Sequence, residues 1–72
     1  MSNYRDNLIK ALQKHFEAKI TYHVMNVEVL LGSHTGVADH PDFMGTLENE
    51  IKQISSYKDK LGVLEKYFKW HS

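Results

Sequence analysis

The sequence predicts an all-α protein: an antiparallel two-helix hairpin that dimerises into a four-helix bundle. Apolar residues recur at steps of three and four on both sides of one connection. Two of the four glycines and the only proline fall within residues 32–41, which marks that connection. With 72 residues, 42% of them hydrophobic, and no cysteine, the chain is typical of one small domain (residues 1–72) without disulfides.

The first predicted helix covers residues 3–31. Its periodic positions are Leu8, Ile9, Leu12, Phe16, Ile20, His23, Val27, Leu30 and Leu31. Ser2 or Asn3 can cap its start, and Asp6 follows Asn3 by three residues, as in a capping box. Gly32 stands where a helix often ends in a left-handed residue, so the helix should end at that glycine.

The second predicted helix covers residues 41–69 and follows a connection over residues 32–40. Its periodic positions are Met44, Leu47, Ile51, Ile54, Leu61, Leu64 and Phe68. The signals at its start are a cap at Asp39 or His40, Pro41 in the first turn, and Asp42 beside the positive end of the helix dipole.

Two alternatives to this hairpin remain open. Residues 20–31 could form a strand, because valines are frequent there and Val27, Val29 and Leu31 alternate with other residues. The second helix could break near residue 56, because Ser55 and Ser56 favour a bend and glycine weakens a helix. The three- and four-residue steps continue through residues 20–31, which favours the helix there.

Self-association is expected from the width of the apolar surface and from the charge distribution. The apolar positions of the first helix spread over an arc of about 160°, wider than one facing helix covers. Residues 1–19 and 57–72 together carry eight basic and four acidic side chains, and residues 20–56 carry one lysine and five carboxylates. Head-to-tail packing of two hairpins would bring opposite charges together, so the predicted partner is a second copy.

His23 lies in the middle of the apolar arc, and a buried imidazole must be hydrogen-bonded. If paired residue numbers sum to about 72, Glu48 or Glu50 comes within its reach, and Asn26 offers an amide one turn away. The first interpretation is a buried polar group that sets helix register or oligomeric state. A metal ligand or a pH-sensing group is the alternative.

Metal ligation is a weaker hypothesis for the connection. Its candidate ligands are His34, Asp39, His40 and Asp42, and imidazole with carboxylate suits zinc. Asp39 and His40 also serve as helix caps, and the spacing matches no known zinc motif. No cofactor is therefore predicted, and nothing in the sequence reads as an active site.

Aromatic residues gather where both ends of the hairpin meet, and they form a predicted interaction patch of Tyr4, Tyr67, Phe68 and Trp70. Arg5, Lys66 and Lys69 are interleaved with them, a mixture that can bind single-stranded nucleic acid. The net charge of zero disfavours nucleic acid as a partner and favours closure of the bundle or contact with a protein.

Three tracts carry a resemblance: Tyr22 to Leu31, Gly36 to Asp42, and Tyr57 to Phe68. Over about residues 4–68 the chain resembles small uncharacterised proteins of T4-like marine cyanophages. The resemblance implies a phage accessory protein made in the host cytoplasm, and it implies no activity, cofactor or catalytic residue.

These observations predict a non-enzymatic helical interaction module that binds itself and another protein. Apolar runs are too short to cross a bilayer, and Asp6 interrupts the N-terminal stretch where a signal peptide would be apolar, so a cytoplasmic location is expected. The alternative function is a metal-binding or pH-responsive helical protein that uses His23 or the histidines of the connection. An accessory nucleic-acid binder is the third.

Overall fold

The protein is a hairpin of two long helices in the computed structural model, which describes residues 4–33 and 42–69. Helix α1 spans Tyr4–Leu31 and helix α2 spans Phe43–Tyr67. The molecule measures 58 × 16 × 12 Å, and its radius of gyration of 16.7 Å exceeds the roughly 11 Å expected of a compact chain of this length. The predicted all-α helical hairpin is confirmed.

The two helices pack antiparallel in layers that repeat every seven residues. In each layer the two residue numbers sum to 73. The layers are Ile9 with Leu64, Phe16 with Tyr57, and His23 with Glu50. A seven-residue repeat keeps the same face of each helix against its partner over the whole length, as in coiled coils. The layer of His23 and Glu50 is polar, and the two layers between it and the ends of the chain are apolar.

Both alternatives to the hairpin are wrong for the described residues. Residues 20–31 are helical, because their three- and four-residue steps place Ile20, His23 and Val27 on the face that packs against α2. Helix α2 continues through residues 55 and 56 without a break. A Cβ built on Gly62 meets no heavy atom within 4 Å, so that glycine interrupts neither the helix nor its packing.

The helix ends differ in detail from the prediction. Gly32 is not left-handed: its N–H donates to the Glu28 carbonyl at 3.0 Å and simply extends the last turn of α1. Asp42 precedes α2 without a side-chain capping bond, and its carbonyl accepts the N–H of Thr46 at 2.9 Å. The predicted capping residues Ser2, Asn3, Asp39 and His40 lie outside the described residues, as does Pro41, the residue predicted in the first turn of the second helix.

The core of the hairpin is very small. Among the described residues only Ile9 and Leu64 are buried apolar side chains, 8% and 6% exposed, and Asp6 is the buried polar one. The large apolar side chains left exposed are Tyr4, Leu8, Leu12, Tyr22, Val24, Met25, Val29, Leu31, Met44, Ile51, Val63, Tyr67 and Phe68. A two-helix hairpin has one interface, so side chains on the remaining faces of each helix stay in contact with water.

Candidate functional site

The polar layer joins three side chains at one carboxylate oxygen. Nδ1 of His23 lies 2.7 Å from Oε1 of Glu50, and Nδ2 of Asn26 donates to the same oxygen at 3.0 Å. The His23 and Glu50 side chains are only 13% and 17% exposed. His23 and Asn26 stand three residues apart on α1, so both reach one oxygen on α2 from the same helix face.

Hydrogen bonding in the polar layer favours the ionised form of Glu50. The bond with His23 lowers the pKa of the Glu50 carboxyl most, the bond from Asn26 lowers it further, and burial opposes both. An ionised carboxylate only accepts hydrogen bonds, so the proton between the two side chains belongs to Nδ1 of His23. The carboxylate therefore fixes the orientation of the His23 ring and keeps a proton on its Nδ1.

Two aromatic rings contact the His23 imidazole. Tyr57 of α2 stacks on it with ring centroids 6.1 Å apart and planes 16° from parallel. Tyr22 meets it edge-on at 4.9 Å. Phe16 extends the cluster along the interface, with its ring centroid 6.1 Å from that of Tyr57. These rings surround the imidazole with apolar surface, which suits a histidine that holds the two helices together.

The structure separates the other predicted site residues from the polar layer. Glu48 is exposed on α2, two residues from the carboxylate that does join the layer. Asp42 is exposed at the start of α2. The remaining predicted metal ligands, His34, Asp39 and His40, lie outside the described residues. Within residues 4–33 and 42–69, no three histidine, aspartate or glutamate side chains group together to hold a metal ion.

The aromatic patch borders a large apolar groove between the helices. Tyr4 and Phe68 line this groove, and the exposed Tyr67 ring lies 6.4 Å from that of Phe68. Trp70 lies outside the described residues. The groove has a volume of about 630 Å³. Its apolar lining comes from Tyr4, Leu8, Ile9, Leu12, Phe16, Val63, Leu64 and Phe68. The aromatic rim could be predicted from the sequence and the groove could not, because Val63 lies outside the periodic positions of the second helix.

The basic residues around this groove contact groups of the hairpin itself. The Lys60 ammonium lies over the Tyr57 ring at 4.6 Å, and Lys66 lies over Tyr67 at 5.3 Å. Arg5 donates to the Lys69 carbonyl at 3.1 Å and ties the start of α1 to the end of α2. The Tyr57 and Tyr67 rings, which these lysines cover, therefore offer less surface for stacked bases.

The described residues thus define a helical hairpin with one polar layer inside and one apolar groove near its terminal end. No family model, curated protein or solved structure matches this chain. Neither helix of the described ranges has an apolar stretch long enough to cross a membrane. The function is therefore argued from this geometry.

The lowered pKa of Glu50 makes stability depend on pH. The carboxyl group ionises more easily in the folded protein, so its contribution is complete above the ordinary carboxyl value of 4.5 and is lost as the pH falls through the lower folded value. We expect Glu50→Gln to destabilise the protein at pH 7 and to reduce the loss of stability between pH 5 and 3. Urea unfolding at several pH values measures both effects.

Glu48→Gln is the matched control, since Glu48 is an exposed glutamate on the same helix. The control should keep the pH dependence of the unmodified protein. If the free energy of unfolding changed equally steeply with pH in Glu50→Gln and Glu48→Gln, the polar layer would contribute nothing to the pH dependence of stability.

Proposed function

We propose that this chain is a non-enzymatic protein-interaction module that works as a homodimer, two hairpins packing into a four-helix bundle. The observation that supports it is the size of the core: the described residues bury two apolar side chains and expose thirteen large ones. Chains of this length are marginally stable even with a full core, and those without disulfides commonly gain stability from metals or oligomerisation.

The accessible surface area of the chain also supports a second copy, because it is larger than that of a compact monomer of the same mass. A compact monomer of 8.4 kDa exposes about 4,600 Å², and this chain exposes 5784 Å². The excess of roughly 1,200 Å² is larger than the roughly 800 Å² that each partner buries in a standard protein interface. Covering one elongated face with another hairpin would bring the exposed area near that of an ordinary globular protein.

Sedimentation equilibrium and thermal unfolding over a hundredfold range of protein concentration test the proposal. A homodimer has twice the chain mass, and its melting temperature rises with concentration because association stabilises the folded state by mass action. A folded monomer with a melting temperature independent of concentration would refute it.

A pH-responsive role is the second candidate, and the hydrogen bond between His23 and Glu50 supports it. Histidine changes charge near neutral pH, and this imidazole lies in the helix interface. The dimer proposal is preferred because it accounts for the exposed apolar surface, which the polar layer does not cover.

The setting we propose is the cytoplasm of a phage-infected host, where the module would serve as an accessory protein. The resemblance of residues 4–68 to cyanophage proteins supports this setting. Within it, the exposed end with Tyr67 and Phe68 would be the surface for a further protein partner, since aromatic residues are enriched in interfaces.

A further inference from the structure

Helix α1 carries a second heptad stripe that its partner helix does not cover. We call it the outer seam, and its eight residues are Tyr4, Leu8, Ala11, His15, Ala18, Tyr22, Met25 and Val29. All eight are exposed, and none is a lysine, arginine, aspartate or glutamate. Their spacing alternates strictly between four and three residues from end to end, which is the spacing of a coiled-coil seam.

The outer seam is distinct from the face that packs against α2. That inner face follows the same alternation through Ile9, Gln13, Phe16, Ile20, His23, Val27 and Leu30, all of them buried or half-buried. Alternating steps of three and four residues keep a stripe on one side of a helix. Helix α1 therefore has two seams. One is occupied by α2, and the other is exposed, with the His15 ring 6.3 Å from that of Tyr57 and with Tyr4 and Leu8 in the groove beside α2.

The outer seam is complementary to itself when two copies run in opposite directions. Its residue numbers pair to a constant sum of 33: Tyr4 with Val29, Leu8 with Met25, Ala11 with Tyr22, and His15 with Ala18. Each alanine then faces a larger ring, which is the alternation of small and large residues that fills an interface. With the copies parallel, Ala11 would face Ala11 and leave a gap. Tyr22 would face Tyr22, and the two rings would be crowded.

The charge distribution favours the same direction. The terminal part, residues 1–19 and 57–72, has four more basic than acidic side chains, and residues 20–56 have four more acidic than basic ones. Antiparallel seams place the positive part of each copy beside the negative part of the other. Parallel seams would place like charges side by side. Their separation would be within the screening length of roughly 8–10 Å at ordinary salt, so they would repel each other.

The apolar groove adjoins the outer seam, because Tyr4 and Leu8 belong to both. In the antiparallel pairing, Met25 and Val29 of the second copy lie level with Leu8 and Tyr4. The Met25 and Val29 side chains are 61% and 72% exposed in the single hairpin. They would cover the α1 side of the groove, and the twofold symmetry would cover the second groove in the same way.

We infer that the outer seam is the dimer interface, with α1 of one copy antiparallel to α1 of the other about a twofold axis between His15 and Ala18. This inference rests on the proposed homodimer and adds which surface and which direction it uses. The two connections then lie at opposite ends of the bundle, and Ser33 of each copy is about 50 Å from its equivalent at 1.5 Å per residue.

Cysteine cross-linking tests the pairing directly, because the natural chain has no cysteine. Leu8→Cys and Met25→Cys are made as separate variants, oxidised alone, and oxidised after being unfolded and refolded together. Antiparallel seams predict disulfide-linked dimers in the mixture and little in either variant alone. Efficient linkage of each variant to itself would overturn the inference in favour of parallel copies.

A charge on the seam gives an independent measurement. Met25→Glu should raise the dimer dissociation constant roughly 100-fold or more, because each dimer gains two carboxylates against apolar side chains. Val24→Glu is the matched control, since Val24 is the adjacent exposed residue outside the seam. A larger effect of Val24→Glu would move the interface to another face of α1 and overturn the inference.

The failures of the two proposals are distinguishable. A protein that sediments as a dimer but forms no mixed disulfide keeps the proposed function and refutes the outer seam. A protein that sediments as a folded monomer refutes both.

Discussion

Replacing His23 with aspartate is expected to lower the melting temperature by about 10 °C or more. The new carboxylate would stand opposite Glu50, where the imidazole now lies 2.7 Å from Oε1. Two carboxylates in a half-buried layer repel each other, and one of them must take up a proton or move into water. Aspartate is also smaller than histidine, so it gives up the ring contacts with Tyr22 and Tyr57.

His23→Leu is the control, because leucine fills a similar volume without adding a charge. Its melting temperature should stay within a few degrees of the unmodified protein, since Asn26 still donates to the Glu50 carboxylate. The deficit of His23→Asp should also shrink as the pH falls and one carboxyl becomes protonated. Equal, small changes in both variants at pH 7 would mean that His23 is open to water and not part of the helix interface.

The hairpin could be predicted from the sequence because one signal dominates each part of it. Steps of three and four residues continue through the valine-rich residues 20–31, and this periodicity prevails over the β-propensity of valine, on a scale that spans only about 1 kcal/mol. Glycine and proline are concentrated between the helices, and the single glycines at 45 and 62 do not end α2. A lone glycine costs a helix about 1 kcal/mol, which the packing of neighbouring layers can outweigh.

The site was harder to predict, because its geometry depends on the register between the helices. A shift of one residue in that register decides whether His23 faces residue 49 or Glu50, and periodicity within one helix does not determine it. Asp6 illustrates the same difficulty. Its spacing from Asn3 predicts a capping-box residue, whereas it is the most buried polar side chain among the described residues and its Oδ1 lies 3.3 Å from Nη1 of Arg5.

The polar layer explains how one register is selected among several that the heptad repeat would allow. A slip by one heptad would place Glu50 opposite Phe16 or Leu30 and leave its carboxylate without the donors of His23 and Asn26. Apolar layers tolerate such a slip, because one apolar residue can replace another. A polar layer does not tolerate a slip, because the slip leaves its hydrogen-bonding groups unpaired. Single polar layers select one register in this way in coiled coils.

Leu64 provides the second large effect, through the apolar layer nearest the termini. Leu64→Ala is expected to lower the free energy of unfolding by about 2–3 kcal/mol. Leu64 lines both the large groove and a smaller one of about 240 Å³, as Ile9 and Phe68 do. Removing the leucine side chain opens a passage between the grooves and exposes Ile9, so the loss includes the contacts of both residues.

The matched control is Leu31→Ala, the same substitution at a leucine that is 60% exposed and belongs neither to the groove nor to the outer seam. It should change the free energy of unfolding by less than about 0.5 kcal/mol. Urea unfolding of both variants at the same protein concentration compares their stability under the same mass-action conditions. A chain of this length has a total stability of roughly 4–11 kcal/mol, so the Leu64 variant should lose a large share of it. Equal losses for the two leucines would mean that the layer of Ile9 and Leu64 is not the core of the hairpin.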